Sequence, residues 1–241
     1  MRRLVHFTQL DSTNAYCKNW ASKNKPISST AILADYQSYG RGRGANSWIA
    51  EKGKNITVSF IDPKVSLRGN DALKIHFKFA LCMQQMLQKH SLNLSIKWPN
   101  DLMYENKKVA GILSESLQDE DGNSWLVLGV GLNVNQVNFG RLSSQATSCE
   151  LILGHSLELP KVLNTLWDAF DLSIAEIGKD SLADICQKIS ENLYGKGQLG
   201  LINQGETKIE GTIIGLHIDG RLMLRKKNQE VQYIAAGNLM L

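Results

Sequence analysis

Two runs near the middle of the chain, KVAGILSES (Lys108–Ser116) and SWLVLGVGLNV (Ser124–Val134), alternate apolar with small residues. Between them lies QDEDGN, whose Asp121-Gly122 pair is a strong β-hairpin signal, because both residues tolerate the backbone angles that a two-residue turn demands. TAILADY (Thr30–Tyr36), NITVSFI (Asn55–Ile61) and LSIKW, which runs into Pro99, read as further strands. Asp71–His90 places Leu73, Phe77, Ala80, Leu81 and Leu87 in helical register, and two more helices are expected near Pro160–Ile177 and Ser181–Tyr194. After YGKGQ (Tyr194–Gln198) the texture changes to short strands and turns, with Asp219-Gly220 joining two of them. That tail reads as a small β-barrel appended to an α/β domain, giving domains at 1–194 and 195–241.

A chain of 241 residues with 43% hydrophobic and 21% charged residues can bury a sizeable core and is not a disordered chain. The net charge of +4 is too mild to argue for DNA or membrane binding, but its placement is informative. Between Gln37 and Lys54 stand Arg41, Arg43, Lys52 and Lys54 against Glu51 alone, which points to a local anionic ligand. The cysteines, Cys17, Cys82, Cys149 and Cys186, are widely spaced and form no Cys-x-x-Cys pair, so they read as reduced thiols of a cytoplasmic protein. No secretory h-region and no membrane-length apolar run is present. The five histidines have no metal-ligand spacing, and no protein-held metal is expected.

The charged stretch is YGRGRGANSW (Tyr39–Trp48). It lacks the Gly-Lys-Ser/Thr ending of a P-loop, and Gly40, Gly42 and Gly44 give G-x-G-x-G rather than the dinucleotide fingerprint. One Arg-Gly-Arg-Gly copy between strands is not a repetitive RNA-binding tail. What remains is a loop that can order around an anion, with guanidinium forks suited to phosphate or carboxylate. Trp48 is either a core residue beside a strand or a lid for a flat ring.

Three further segments carry polar groups. In KWPNDLMYENKKVAGI (Lys97–Ile112), Asn100 and Asp101 follow a strand end and Pro99, ordinary turn chemistry that also suits a site, and Lys108 opens the next strand. In LDSTNAY (Leu10–Tyr16), Asp11, Ser12 or Thr13 caps a helix. GVGLNVN (Gly129–Asn135) puts two glycines in a strand, which weakens it unless a ligand approaches closely.

In this order, DSTN, YQSYGRGRGANSW, KWPNDLMYENKKVAGILSE, GVGLNVN and the terminal AAGNLML resemble the biotin–protein ligases, from Asp11 to the C-terminus. The resemblance implies an α+β fold: a mixed β-sheet flanked by helices, like the class II synthetases and biotin ligases, with a C-terminal SH3-like barrel. It implies an ATP-dependent ligase of the biotin–[acetyl-CoA-carboxylase] type. Biotin and ATP would give biotinyl-5′-adenylate and pyrophosphate, with Mg2+ accompanying the triphosphate. A lysine of a biotin carboxyl carrier domain would then take the acyl group and release AMP.

By the same resemblance Arg43 and Lys108 are catalytic. Ser12, Thr13, Asn14, Gln37, Gly40, Arg41, Lys108, Gly111, Gly129 and Gly131 would bind biotin. Arg43, Trp48, Asn100, Asp101, Lys108 and Asn133 would bind ATP or the adenylate, with Trp48 against adenine. The loop departs from the family pattern at Ala45, where glycine is more usual, and at Asn46, where some members carry arginine.

Lipoate ligases and octanoyltransferases of the same superfamily show a triple glycine that is missing here, and some use a nucleophilic cysteine, a role Cys149 could be offered for. Only ten residues precede Asp11, so a DNA-binding winged helix is not expected. A non-catalytic biotin binder would not need the set Arg43, Lys108, Asn100 and Asp101. An edge strand could pair two copies into a homodimer, and nothing in the sequence selects that over a monomer.

Overall fold

The computed structural model describes residues 1–65, 71–118, 122 and 124–241. In chain order its first elements are β1 (Arg2–Phe7), α1 (Thr13–Lys23), β2 (Ser29–Ala34), β3 (Ile56–Ile61), α2 (Asp71–Gln88), β4 (Ser95–Lys97), β5 (Asp101–Tyr104), β6 (Lys107–Gln118) and β7 (Ser124–Leu132). The helices α3 (Cys149–Leu153), α4 (Leu159–Ala175) and α5 (Leu182–Glu191) follow. Seven strands form one sheet in the order β1-β2-β3-β7-β6-β5-β4. β1 and β2 run parallel and every other neighbouring pair is antiparallel, so the sheet is mixed as expected.

The expected central hairpin is the β6–β7 pair, in register from Ala110 opposite Leu132 to Gln118 opposite Ser124. Of its turn pair, Asp121 lies outside the described residues, and Gly122 has φ +81°, a left-handed angle that suits glycine. β1, β5 and α3 were not foreseen. Arg2–Phe7 is mostly exposed and polar on an edge, and Asp101–Tyr104 is too short to show a period.

β3 is buried at all six positions because it lies inside the sheet with helices on both faces. On one face α1 packs Cys17 and Ala21 with Ile32, Ile61, Trp125 and Val127. On the other, α2 and α4 cover Phe60, whose ring stacks on Phe170 at 5.0 Å and meets Phe79 edge-on at 6.4 Å. Ser12 caps α1, its hydroxyl accepting the Ala15 N–H, and a Ser181–Asp184 capping box starts α5.

A second sheet holds β8 (Leu199–Gln204), β9 (Thr207–Leu216), β10 (Leu222–Arg225), β11 (Val231–Ile234) and β12 (Asn238–Met240), all antiparallel, in the order β11-β10-β9-β8-β12. Strand pairing between its edges, which would close the expected barrel, is not seen among the described residues. This sheet is joined to the body without a gap. Its Ile202, Ile213, Leu222 and Leu224 belong to the same apolar core as Phe77 and Ile185. Trp98 donates its indole N–H to the Gly220 carbonyl (3.1 Å), and the Leu216 N–H donates to Ser190 Oγ (2.8 Å). Among the described residues no helix is long and apolar enough to cross a membrane.

The helical layer is pinned by Lys78 of α2, which is buried and paired with Glu176 (2.9 Å) and Asp180 (2.6 Å). Asp180 also takes Lys188 of α5 at 2.8 Å, and hydrogen bonds from Lys188 and Lys78 hold its carboxyl down at about 2. Asp180→Ala leaves the buried ammonium one carboxylate short, and urea unfolding is expected to show a loss of roughly 1–3 kcal/mol. Because the folded-state pKa is depressed, this contribution is complete above the ordinary aspartate value of 3.8 and fades as pH falls toward about 2. A wild-type-like unfolding midpoint in Asp180→Ala at neutral pH would remove the pinning role.

Candidate active site

A cavity of about 770 Å³, open mouth included, lies where the N-terminus of α1, the β6–β7 hairpin, the glycine-arginine segment and the Lys97–Asp101 turn converge. At one end the first turn of α1 presents polar groups, an arrangement that follows from its own cap. The Thr13 N–H and hydroxyl both donate to Gln37 Oε1, at 2.7 and 3.1 Å. Ser59, fully buried on β3, lies 2.8 Å from Thr13 Oγ1 and donates to Asn14 Oδ1 at 2.5 Å. Asn14 donates in turn to the Leu113 carbonyl and to Glu115.

The floor is made by glycines. A Cβ on Gly129 would stand 2.1 Å from Asn14 Oδ1, and one on Gly131 would stand 2.2 Å from the Trp48 ring. A Cβ on Gly111 would meet the Lys108 ammonium at 3.0 Å. Missing side chains on adjacent strands thus let a helix start and an aromatic ring lie directly on the sheet.

The segment Gly40–Trp48 folds as a small hairpin of its own. Trp48 N–H donates to the Gly40 carbonyl and Gly42 N–H to the Asn46 carbonyl, both at 2.8 Å, with Gly44 at φ +66° in the tip. Gly40 is buried at the base of this hairpin, where a Cβ would meet the Trp48 carbonyl at 2.3 Å, and it does not line the cavity. The missing side chain is what lets the hairpin close there.

Four cations surround the cavity. Arg41 faces Glu115 at 3.4 Å, and Arg43 donates to the Gly237 carbonyl just before β12. Lys108 is paired with Asp101 at 2.6 Å and sits 5.5 Å from the centre of the Trp48 ring. Lys97 has its pKa lowered by burial, an effect Lys108 reinforces and Asp101 opposes. Like charges in partial burial repel one another, and Asp101 and Glu115 offset that repulsion for two of the four.

The Lys97–Asp101 turn is braced from behind by His76 of α2. Its Nε2 lies 3.0 Å from the Pro99 carbonyl and its Nδ1 2.6 Å from Ser114 Oγ. Burial lowers the imidazole pKa, so the neutral ring donates to Pro99 and accepts from the serine hydroxyl. Asn100 donates its amide to the Ile112 carbonyl and accepts the Ile112 N–H, tying the turn to β6.

Of the residues singled out from sequence, Ser12, Thr13, Asn14, Gln37, Arg41, Arg43, Trp48, Asn100, Asp101, Lys108, Gly111, Gly129 and Gly131 all line this one cavity. Gly40 and Asn133 do not. Asn133 is buried and donates to the Thr147 carbonyl at 3.0 Å, while its own N–H donates to Val109. It therefore fixes the backbone around Lys108 and the 145–149 segment from outside the cavity. Trp48 lies on the strand glycines. Lys97, Ser47 and Asn238 line the cavity without having been singled out, as does Asn46, noted only as a departure from the family pattern, and Glu115, Ser59 and His76 support it. Lys97 could have been found from its place in the Lys-Trp-Pro-Asn-Asp block; the supporting residues have no local pattern. Cys149 is buried with its thiol pushed up to about 12 and lines no part of the cavity, so the nucleophile role offered to it fails.

The profile of the Biotin/lipoate A/B protein ligase family matches residues 6–133. The Bifunctional ligase/repressor BirA of Bacillus subtilis is 28% identical over 247 aligned residues, covering 100% of this chain and 74% of the relative. A Biotin--[acetyl-CoA-carboxylase] ligase of Paracoccus denitrificans is 28% identical, covering 89% of this chain and 91% of the relative. Among solved structures, a biotin protein ligase from Aquifex aeolicus in complex with biotin and ATP superposes with a TM-score of 0.82 at 25% identity, covering 99% and 97% of the two chains.

Two outcomes are expected from this geometry. Gly131→Ala forces the Trp48 ring off the floor, which should shift tryptophan emission to longer wavelength; unchanged emission would mean the ring is not held there. Burial depresses the His76 pKa, so the stability it contributes is present above the ordinary value of 6.5 and is lost as pH falls below it. The loss in unfolding free energy between pH 7 and pH 5 should therefore be smaller in His76→Gln than in the wild-type protein, and an equal loss would contradict a buried neutral ring.

Proposed function

The chain belongs to the biotin/lipoate A/B protein ligase family, and we propose that it is a biotin–protein ligase of the biotin–[acetyl-CoA-carboxylase] type. One observation carries the reading: a glycine-floored slot has a neutral hydrogen-bonding network at one end and Arg43, Lys97 and Lys108 at the other. Biotin has that polarity, with a ureido ring that exchanges neutral hydrogen bonds and a carboxylate at the far end of its chain. The similarity to a biotin protein ligase solved with biotin and ATP supports the same pair of substrates.

In this reading Thr13, Asn14 and Gln37 hold the ring system, and the chain of the ligand runs from them along the cavity. The carboxylate then reaches the cationic end, where it must meet the α-phosphate of ATP. Positive charge has to cancel the repulsion between these anions and the charge that develops at phosphorus. Arg43 and Lys108 supply it, with Lys97 beside them. A carboxylate oxygen attacks the α-phosphorus, the bond to the bridging oxygen breaks, and pyrophosphate leaves with the electron pair. The product is an acyl–phosphate anhydride that water destroys, and the Gly40–Trp48 hairpin covers it. The amine of a carrier-domain lysine attacks the acyl carbon, and AMP departs. Trp48, Asn100 and Asp101 face the nucleotide.

Magnesium fits the donor set in a limited way. Among the described residues no group of three acidic, histidine or cysteine side chains could hold a metal ion, yet Asp101 and Asn100 bring oxygens to the cationic end. A Mg2+ ion that keeps its waters and takes phosphate oxygens needs no more than one or two protein ligands. Asp101 would hold it with Asn100 beside it, and the ion would supply further charge neutralisation. Residues 1–194 form the catalytic domain in this proposal, and 195–241 is the C-terminal unit that lends Asn238 to the cavity.

The test is pyrophosphate release from Mg-ATP with biotin, lipoate or octanoate added in turn, using wild-type protein and Arg43→Ala/Lys108→Ala. Release should require biotin and fall by at least about 100-fold in the double variant, the scale of lost electrostatic stabilisation at a reacting phosphate. Release with lipoate instead would move the protein to the sister activity of its family, and an absence of release with all three acids would leave it a binder.

A further inference from the structure

Glu115 on β6 is absorbed by none of the roles above. Its side chain is only 15% exposed, yet it meets three partners, two on α1 and one on the loop hairpin. Asn14 Nδ2 donates to it at 3.0 Å, Lys18 of α1 at 3.0 Å, and Arg41 of the loop hairpin lies 3.4 Å away. Asn14 continues through Ser59 and Thr13 to Gln37. One carboxylate thus joins the hairpin that covers the cavity to the network at its neutral end. Burial alone would raise its pKa, but the hydrogen bonds from Asn14 and Lys18 and the charges of Lys18 and Arg41 outweigh that and keep it ionised.

We infer that Glu115 is a positioning residue that locks the Gly40–Trp48 hairpin over the slot by holding Arg41 and Asn14 with a single carboxylate. It touches no reacting atom. Its consequence is retention: with the lock intact, the ring system enters a preset hydrogen-bonding end and the adenylate stays sealed until an acceptor arrives. Without it, Asn14 loses its orientation and the hairpin is freed at Arg41, while the cations at the other end stay where they are. The inference rests on the biotin-ligase reading.

The experiment compares wild-type protein with Glu115→Gln, in which the amide still fits and can accept from Asn14 but no longer attracts Arg41. Biotin-dependent pyrophosphate exchange gives KM and kcat, and the rate at which the preformed adenylate escapes into solution gives retention. Glu115→Gln should raise the biotin KM by about ten-fold and speed escape by about ten-fold, with kcat within about two-fold, the scale of one charge-assisted contact. Lys18→Ala, which removes the other cation, should leave escape unchanged. Arg41→Met should reproduce the escape defect, and the double variant with Glu115→Gln should be no worse than Arg41→Met alone.

Wild-type escape and KM in Glu115→Gln, or additive defects in the double variant, would overturn the lock. The additivity test also decides the matter if Glu115→Gln proves less stable. A wild-type protein with no biotin-dependent exchange would overturn the functional reading, which is a separate result.

Discussion

Close approach to a sheet surface is the constraint on which the rest of this molecule depends. Gly111, Gly129 and Gly131 stand on the paired strands β6 and β7, with Gly111 directly opposite Gly131. Any side chain at Gly129 or Gly131 would overlap Asn14 or Trp48 by more than an ångström of normal contact distance. The helix start at Ser12 and the loop aromatic can therefore meet only over this bare patch. The slot exists because a strand pair that would otherwise carry alternating side chains has gaps on one face, while Leu128, Val130 and Leu132 keep it anchored in the core.

Electrostatics then divides the slot. At one end the neutral side chains of Thr13, Gln37, Ser59 and Asn14 bond to one another, with the Glu115 carboxylate behind Asn14. At the other stand Arg43, Lys97 and Lys108, while Arg41 lies beside Glu115, and two acids each hold one of the four cations. Asp101 holds Lys108 in place, and Glu115 holds Arg41. Acids so placed reduce repulsion among the cations before substrate binds and fix their direction, so less reorganisation is needed when charge develops. Arg43 and Lys97 have no carboxylate partner within ion-pair distance among the described residues, which leaves their charge for a ligand.

The frame that carries this site is rigid for reasons far from it. Phe60, Phe79 and Phe170 lock the sheet to α2 and α4, and the Lys78 cluster locks α2 to α5. α2 in turn carries His76, which supports the Pro99 carbonyl, and packs against the C-terminal sheet at Gly220. Gly220 has φ +90°, and a Cβ there would come within 2.7 Å of Leu73, so the second sheet is fitted to the first domain rather than tethered beside it. That fit brings Gly237 and Asn238 to the loop hairpin, where the former accepts from Arg43.

The glycine-arginine segment, the Lys-Trp-Pro-Asn-Asp turn, the capped start of α1 and the two strand glycines were legible in the residues, because each is a local pattern whose chemistry does not depend on distant neighbours. The hairpin of β6 and β7 was legible for the same reason, through period-two alternation. Glu115, Ser59 and His76 were not, since an isolated polar residue on a strand or helix gains its meaning only from what folds against it. Gly40 and Asn133 show the converse: both belong to recognisable motifs, yet packing turns one into a loop closure and the other into a brace for the Lys108 backbone. Residue order alone set out the local chemistry, a basic glycine-rich segment, a capped polar helix start and an Asn-Asp turn beside Lys108. Which side chains face the slot, which stand behind it, and how the C-terminal sheet reaches it were decided by long-range contacts, because direction and distance between segments far apart in sequence are properties of the packed core alone.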